Sequence, residues 1–327
     1  MFRFFSSNQP YILFFVPLLA AALLLPIGLG PTPTVFYQQT VFISDIFVAL
    51  SKSNWVVYLI SFFILSVNSV LIHQLTDKQS IFVKSNHITS VIYILLITIS
   101  PKISGLLQLH ISSFFILLVL IRISHLYMVE KPYSILFDCG LLLSLSSLFY
   151  LPSGFLLIWI CITTLIFKPI TWRDFFIPIV GFTTPYLFYT FFLFYFDQSI
   201  DSSIQLVSFF NTLIVLSTSD IISFGFIFVL IAAALLTYFM NVQRKSVRVR
   251  NLYLSYLWLF IIIILSILSF NGNIRTTTGL FAIPFSILLT DFLFVLEKKK
   301  WLPELIMVLL FTIFLFNHIS INNWFSF

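Results

Sequence analysis

The chain has 327 residues, 60% of them hydrophobic and 9% charged, with 42 Phe, a formal net charge of +6 and a mean hydropathy of +1.09. Soluble domains carry about 25% charged residues, so water could not solvate a compact fold of this composition. A cytosolic enzyme, a nucleic-acid binder and a disulfide-built secreted module are excluded, and an all-α polytopic membrane bundle is expected.

Apolar runs predict eleven spans near residues 11–30, 54–75, 87–100, 106–127, 134–150, 153–168, 175–196, 220–240, 252–271, 279–296 and 302–320. The first follows Arg3 and is read as a signal anchor rather than a cleaved leader, because its removal would orphan a protein built of spans. The third and fifth are short enough to be tilted, re-entrant or partly interfacial. The outward connections 31–53 and 197–219 are the longest, semi-apolar, and suited to helices lying in the interface plane. None of the connections is long enough for a soluble domain, so residues 1–327 read as a single integral membrane domain.

Charge sets the orientation. With the N-terminus in the cytoplasm, all of the 17 basic residues except Lys52, Lys102 and Arg275 fall at or near the cytoplasmic face. The reversed arrangement would violate the positive-inside rule. Clusters at Arg244–Arg250 and Lys298–Lys300 serve first to fix that topology, and could also attract anionic lipid.

Sequence handles for other chemistries are absent. There is no Walker loop, GxGxxG, HExxH or GxSxG. None of the nine glycines is spaced four from another, so the GxxxG helix-pairing motif is missing. Cys139 and Cys161 sit in apolar runs as packing residues, and His73, His87, His110, His125 and His318 read as polar residues near span ends rather than metal ligands. Asp138 and Asp291 fall one or two turns inside the cytoplasmic ends of their spans, where snorkelling or capping accounts for them.

On the outer face, three cations stand against the orientation bias beside segments carrying aspartates. Fixed cations there suit a phosphate at the interface, Arg as a bidentate donor and Lys as a point charge. Asp45, in Thr40-Val41-Phe42-Ile43-Ser44-Asp45, is either a loop or N-cap carboxylate or, if partly desolvated, a general base. Asp197 and Asp201 belong to a polar stretch with helix-start residues.

This layout resembles the membrane-embedded C-type-fold (GT-C-like) glycosyltransferases, which take a sugar from a polyprenyl-phosphate donor on the extracytoplasmic face. The likeness rests on the lone first-loop acid Asp45 and on the short outer turn Ile99-Ser100-Pro101-Lys102. It extends to the run from Cys139-Gly140-Leu141 through Leu151-Pro152-Ser153-Gly154 to Phe167-Lys168-Pro169, and to Asn273-Ile274-Arg275 leading to Pro284. Many relatives carry paired first-loop acids and a C-terminal outer domain, and this chain differs in both. The resemblance implies that Asp45 is the catalytic base and that Arg275, helped by Lys102 or Lys52, holds the lipid phosphate. Asp197, Asp201 and His110 are then acceptor-side candidates. It implies no cofactor, since the lipid phosphate is itself the activated leaving group. Implied partners are membrane lipids, the lipid-linked donor and an acceptor, with no nucleic acid. The chain also resembles a group of Phe-rich bacterial inner-membrane proteins, which would place it there as a multi-pass protein. A scaffold subunit of an envelope complex and a transporter of lipid-linked substrates are the alternatives.

Overall fold

The structure is a computed structural model and describes residues 2–6, 9, 11–29, 53–82, 86–98, 107–127, 129, 131–169, 171–196, 218–269, 274–299 and 301–321. Among these the fold is all-helical, with no strand. A one-turn helix α1 (Phe2–Phe5) precedes α2 (Ile12–Leu29), α3 (Asn54–Lys78), α4 (Ile88–Thr98), α5 (Leu107–Ile123) and α6 (Tyr133–Phe149). A 3-10 turn, Leu151–Phe155, leads into α7 (Leu156–Phe167), followed by α8 (Trp172–Tyr195), α9 (Thr218–Asn241), α10 (Val247–Ser269), α11 (Ile274–Val295) and α12 (Trp301–Ile321). Each helix after α1 falls on one of the eleven apolar runs. Three of them are long and apolar enough to cross a membrane: Asn54–Lys78, Trp172–Tyr195 and the Val247–Ser266 part of α10.

Contacts between helix ends show that the helices alternate in direction. At one end, Gln79 after α3 meets Ser124 after α5 and Arg248 at the start of α10. Arg122 at the end of α5 reaches Asp138 early in α6, and Asn251 early in α10 bonds the carbonyl of Ile166 late in α7. Phe294 at the end of α11 packs on Phe2 and Phe82, while the His87 N–H ahead of α4 bonds the Phe5 carbonyl. At the opposite end, Ser112 of α5 meets Ser146 late in α6, which meets Ser153 at the approach to α7. Ser266 late in α10 bonds the Pro152 carbonyl there. Every described Asp, Glu, Lys and Arg side chain lies at or within two turns of the first end, called here the charged end.

Burial separates a centre from a lipid-like periphery. All 11 residues of α4 are buried, so the short third run is enclosed by its neighbours and does not lie on the protein's surface. It packs between α3 and α11, with α12 and α2 adjoining. In contrast α8 exposes Leu187, Phe188, Phe191 and Phe194, and packs chiefly on α6. Large apolar side chains directed away from the centre are stable only in an apolar solvent, as composition demands.

Two internal prolines, Pro178 and Pro185 in α8, remove backbone donors yet leave the helix continuous over its 24 residues. Proline is tolerated in this way in membrane helices, where neighbouring groups satisfy the freed backbone.

Candidate functional site

Of the residues singled out in the sequence, Asp45, Lys52, Lys102, Asp197 and Asp201 lie outside the described residues. Arg275 is the second residue of α11, and only its backbone is described. His110 occupies the first turn of α5, near a span end as the sequence predicts, and is wholly buried among the helices. The burial arises because α5 packs between α3 and α6.

Around His110 the interior is polar and uncharged. Along α3 the buried stripe Ser61, Leu65, Asn68, Ser69 and Ile72 follows helical spacing, so three polar residues share its inward face. Asn68 Nδ2 donates to the His110 carbonyl at 3.1 Å and approaches the Tyr93 hydroxyl of α4 at 3.3 Å. Ser90 of α4 donates to the Ser69 carbonyl at 2.6 Å. On the other side of α5, Ser112 and Ser146 stand 2.7 Å apart, Ser146 and Ser153 2.9 Å, and Ser147 and Tyr186 of α8 2.9 Å.

The seam is incompletely satisfied. Asn68 Oδ1, Gln108 Nε2, Ser61 Oγ, Thr89 Oγ1 and Ser144 Oγ are buried without a hydrogen-bond partner. Buried polar groups are nearly always paired, by protein, water or ligand. Amide and hydroxyl groups without a counter-charge suit a neutral, hydroxyl-bearing molecule or ordered water. Sequence reasoning missed this seam because Ser, Thr and Asn scattered in apolar runs look tolerated; the spacing of seven between Ser61 and Asn68 was the available signal.

The charged end is organised by ion pairs. Arg122 Nη2 lies 2.5 Å from Asp138 Oδ2, Lys168 Nζ 3.0 Å from Asp174 Oδ2, and Lys245 Nζ 2.7 Å from Asp291 Oδ1. Asp138 and Asp291 are therefore ion-pair partners joining neighbouring helices, not snorkelling or capping groups. Cys139 is buried with Sγ 4.0 Å from the Val119 carbonyl, in a packing position. His73 and His87 lie with ring centroids 4.3 Å apart at 33°. His87 falls in the connection ahead of α4. Burial, reinforced by the neighbouring His73, pushes its imidazole down to about 4 against the smaller opposing pull of Asp77.

With this geometry in hand, comparison with known proteins adds one finding. The DUF6427 family, described as a family of unknown function, matches residues 35–325. The chain belongs to that family. No curated protein and no solved structure matches it. The matched stretch runs from ahead of α3 into the residues beyond α12, so the seam around His110 and the three ion pairs named above are inside it.

Proposed function

We propose that the chain is a bacterial inner-membrane protein of eleven spans, GT-C-like in fold, that moves a sugar from a polyprenyl-phosphate donor to an acceptor at the extracytoplasmic face. The observation that carries the reading is the alternation of the helices. Helices α2, α4 and α8 end, and α3, α5, α9 and α11 start, at the end opposite the ion pairs; Asp45 and Lys52, Lys102, and Asp197 and Asp201 fall in sequence between those helix ends, and Arg275 is the second residue of α11. The uncharged seam around His110 begins there too, at the first turn of α5.

The chemistry follows from charge. Asp45 takes the proton of an acceptor hydroxyl, whose oxygen attacks the anomeric carbon. The bond from that carbon to the phosphate oxygen breaks, and the departing polyprenyl phosphate keeps the electron pair. Arg275, with Lys102 or Lys52, offsets the charge that develops on it. Asp197, Asp201 and His110 stand on the acceptor side.

The test uses membrane vesicles containing the full chain and a radiolabelled polyprenyl-phosphate sugar. Asp45→Asn is expected to lower transfer by about 100-fold or more while donor binding persists. Arg275→Ala is expected to weaken donor binding. If Asp45→Asn leaves flux of the lipid-linked sugar across the vesicle intact and no transfer is seen in either form, the protein is a transporter. If neither substitution changes binding, it is a scaffold.

A further inference from the structure

At the charged end, α9, α10 and α11 enclose a group of aromatic and ionic side chains that the proposed transfer reaction does not use. Tyr238 of α9 stacks on Tyr253 of α10 with centroids 5.4 Å apart at 21°, and Tyr256 stands edge-on to Tyr253 at 6.2 Å. The three are between 0% and 2% exposed; the hydroxyls of Tyr238 and Tyr256 have no hydrogen-bond partner, and that of Tyr253 faces the Asp291 carboxylate. Lys245 Nζ sits 3.7 Å from the centre of the Tyr253 ring and is paired with Asp291. That pair is the edge the surroundings can reach, each side chain being 16% exposed.

Orphaned phenol donors call for an acceptor. Nearby cations make an anionic one the best match: Lys245 is in the group, and the exposed Arg250 lies one turn before Tyr253 on α10. The flank is apolar. Leu236, Phe239 and Met240 on the last two turns of α9 are 66%, 64% and 80% exposed. A phosphate with hydrocarbon tails meets both halves of this surface, whereas a free phosphate meets only one.

We propose that this place binds the phosphate of an anionic phospholipid. Its oxygens take both Lys245 and the Tyr253 hydroxyl over from Asp291 and accept the Tyr238 hydroxyl, and its acyl chains lie along Leu236, Phe239 and Met240. The lipid and the Asp291 carboxylate compete for one ammonium group, so the two halves of the ion pair affect binding in opposite directions.

The experiment follows the thermal unfolding midpoint of the purified full chain in non-ionic detergent as dioleoylphosphatidylglycerol is added. The midpoint is expected to rise. The half-saturating concentration is expected to increase at least tenfold in Lys245→Met and in the isosteric double variant Tyr238→Phe with Tyr253→Phe, and to fall at least threefold in Asp291→Asn. An equal response to zwitterionic dioleoylphosphatidylcholine overturns the proposal, as does a double Tyr variant that binds like the parent. Inorganic phosphate that reproduces the full shift also overturns it, by showing a free-anion site. If Lys245→Met and Asp291→Asn move affinity in the same direction, the pair is only structural. If either ionic variant fails to fold, the tyrosine variant decides alone.

Discussion

Gly140 of α6 and Gly181 of α8 each mark where the other helix's backbone passes. A Cβ on Gly140 would stand 3.0 Å from the Phe182 nitrogen and closer still to the Pro178 carbonyl oxygen; one on Gly181 would stand 3.2 Å from the Leu141 nitrogen and closer to the Phe137 oxygen. In lipid there is little hydrophobic drive between helices, so such close approach supplies the dispersion that holds them. Gly140→Ala and Gly181→Ala are each expected to cost about 1–3 kcal/mol by overpacking. Gly225 on α9 has nothing within 4 Å of where a Cβ would go, so Gly225→Ala is expected to be neutral or to gain up to about 1 kcal/mol. Thermal unfolding of the three variants in detergent checks this, and equal losses at all three would refute the close crossing.

Asp174 ties the start of α8 to the end of α7. One carboxylate oxygen accepts the Thr171 N–H at 2.8 Å and the Thr171 hydroxyl at 2.8 Å, and pairs with Lys168, whose side chain is only 10% exposed. Removing the carboxylate takes away both the cap and the counter-charge of a largely buried ammonium. Asp174→Ala is expected to cost about 2–4 kcal/mol. Arg122 and Asp138 are 44% and 39% exposed, so Arg122→Ala is expected to cost under about 1 kcal/mol. Should the two losses prove equal, burial is not what distinguishes these pairs.

How far the fold was legible follows from which forces act along one helix and which act between helices. Apolar run length reported all the helices from α2 to α12, because a hydrogen-bonded helix is the cheap way to place such runs in lipid. The turn Leu151-Pro152-Ser153-Gly154 was legible for the same local reason. What lies between helices was not. The glycines at 140 and 181 are 41 positions apart, and no spacing rule within one helix pairs them. Asp138 and Asp291 looked like solitary intramembrane acids because Arg122 and Lys245 sit 16 and 46 positions away. The polar seam was hidden because Ser61, Asn68, Tyr93, His110 and Ser146 come from four helices, each contributing one or two tolerable exceptions to an apolar run. The candidates Asp45, Lys52, Lys102, Asp197 and Asp201 stand out by charge and by position between apolar runs, signals that act along the sequence and carry no mutual distances.

His87 gives the charged end a pH dependence. Its imidazole is held near 4 in the folded chain against an ordinary 6.5, by burial and by His73 beside it. Between those values the unfolded chain binds the extra proton, so the stability tied to neutral His87 is complete above about 6.5 and is lost as pH falls toward 4. The loss is at most about 3 kcal/mol. Unfolding midpoints at pH 7.5 and pH 5 are expected to differ less in His87→Asn than in the parent. An equal pH response in both would remove His87 as the cause.

Orientation is testable with single cysteines because the native thiols are poor targets. Cys139 is buried, and Cys161 is half-buried in an apolar helix, so a membrane-impermeant maleimide is expected to leave both unmodified in intact cells. Lys299 is exposed at the charged end beyond α11, and Phe196, 55% exposed, closes α8 at the opposite end. Phe196→Cys is expected to react from outside the cell and Lys299→Cys only after permeabilisation, the sign required by the positive-inside rule. Reaction of both from outside would break the alternation of the helices. Reaction of Lys299→Cys alone would keep the alternation and invert the protein, moving Asp45 and Arg275 to the cytosolic side, where the proposed donor chemistry has no place.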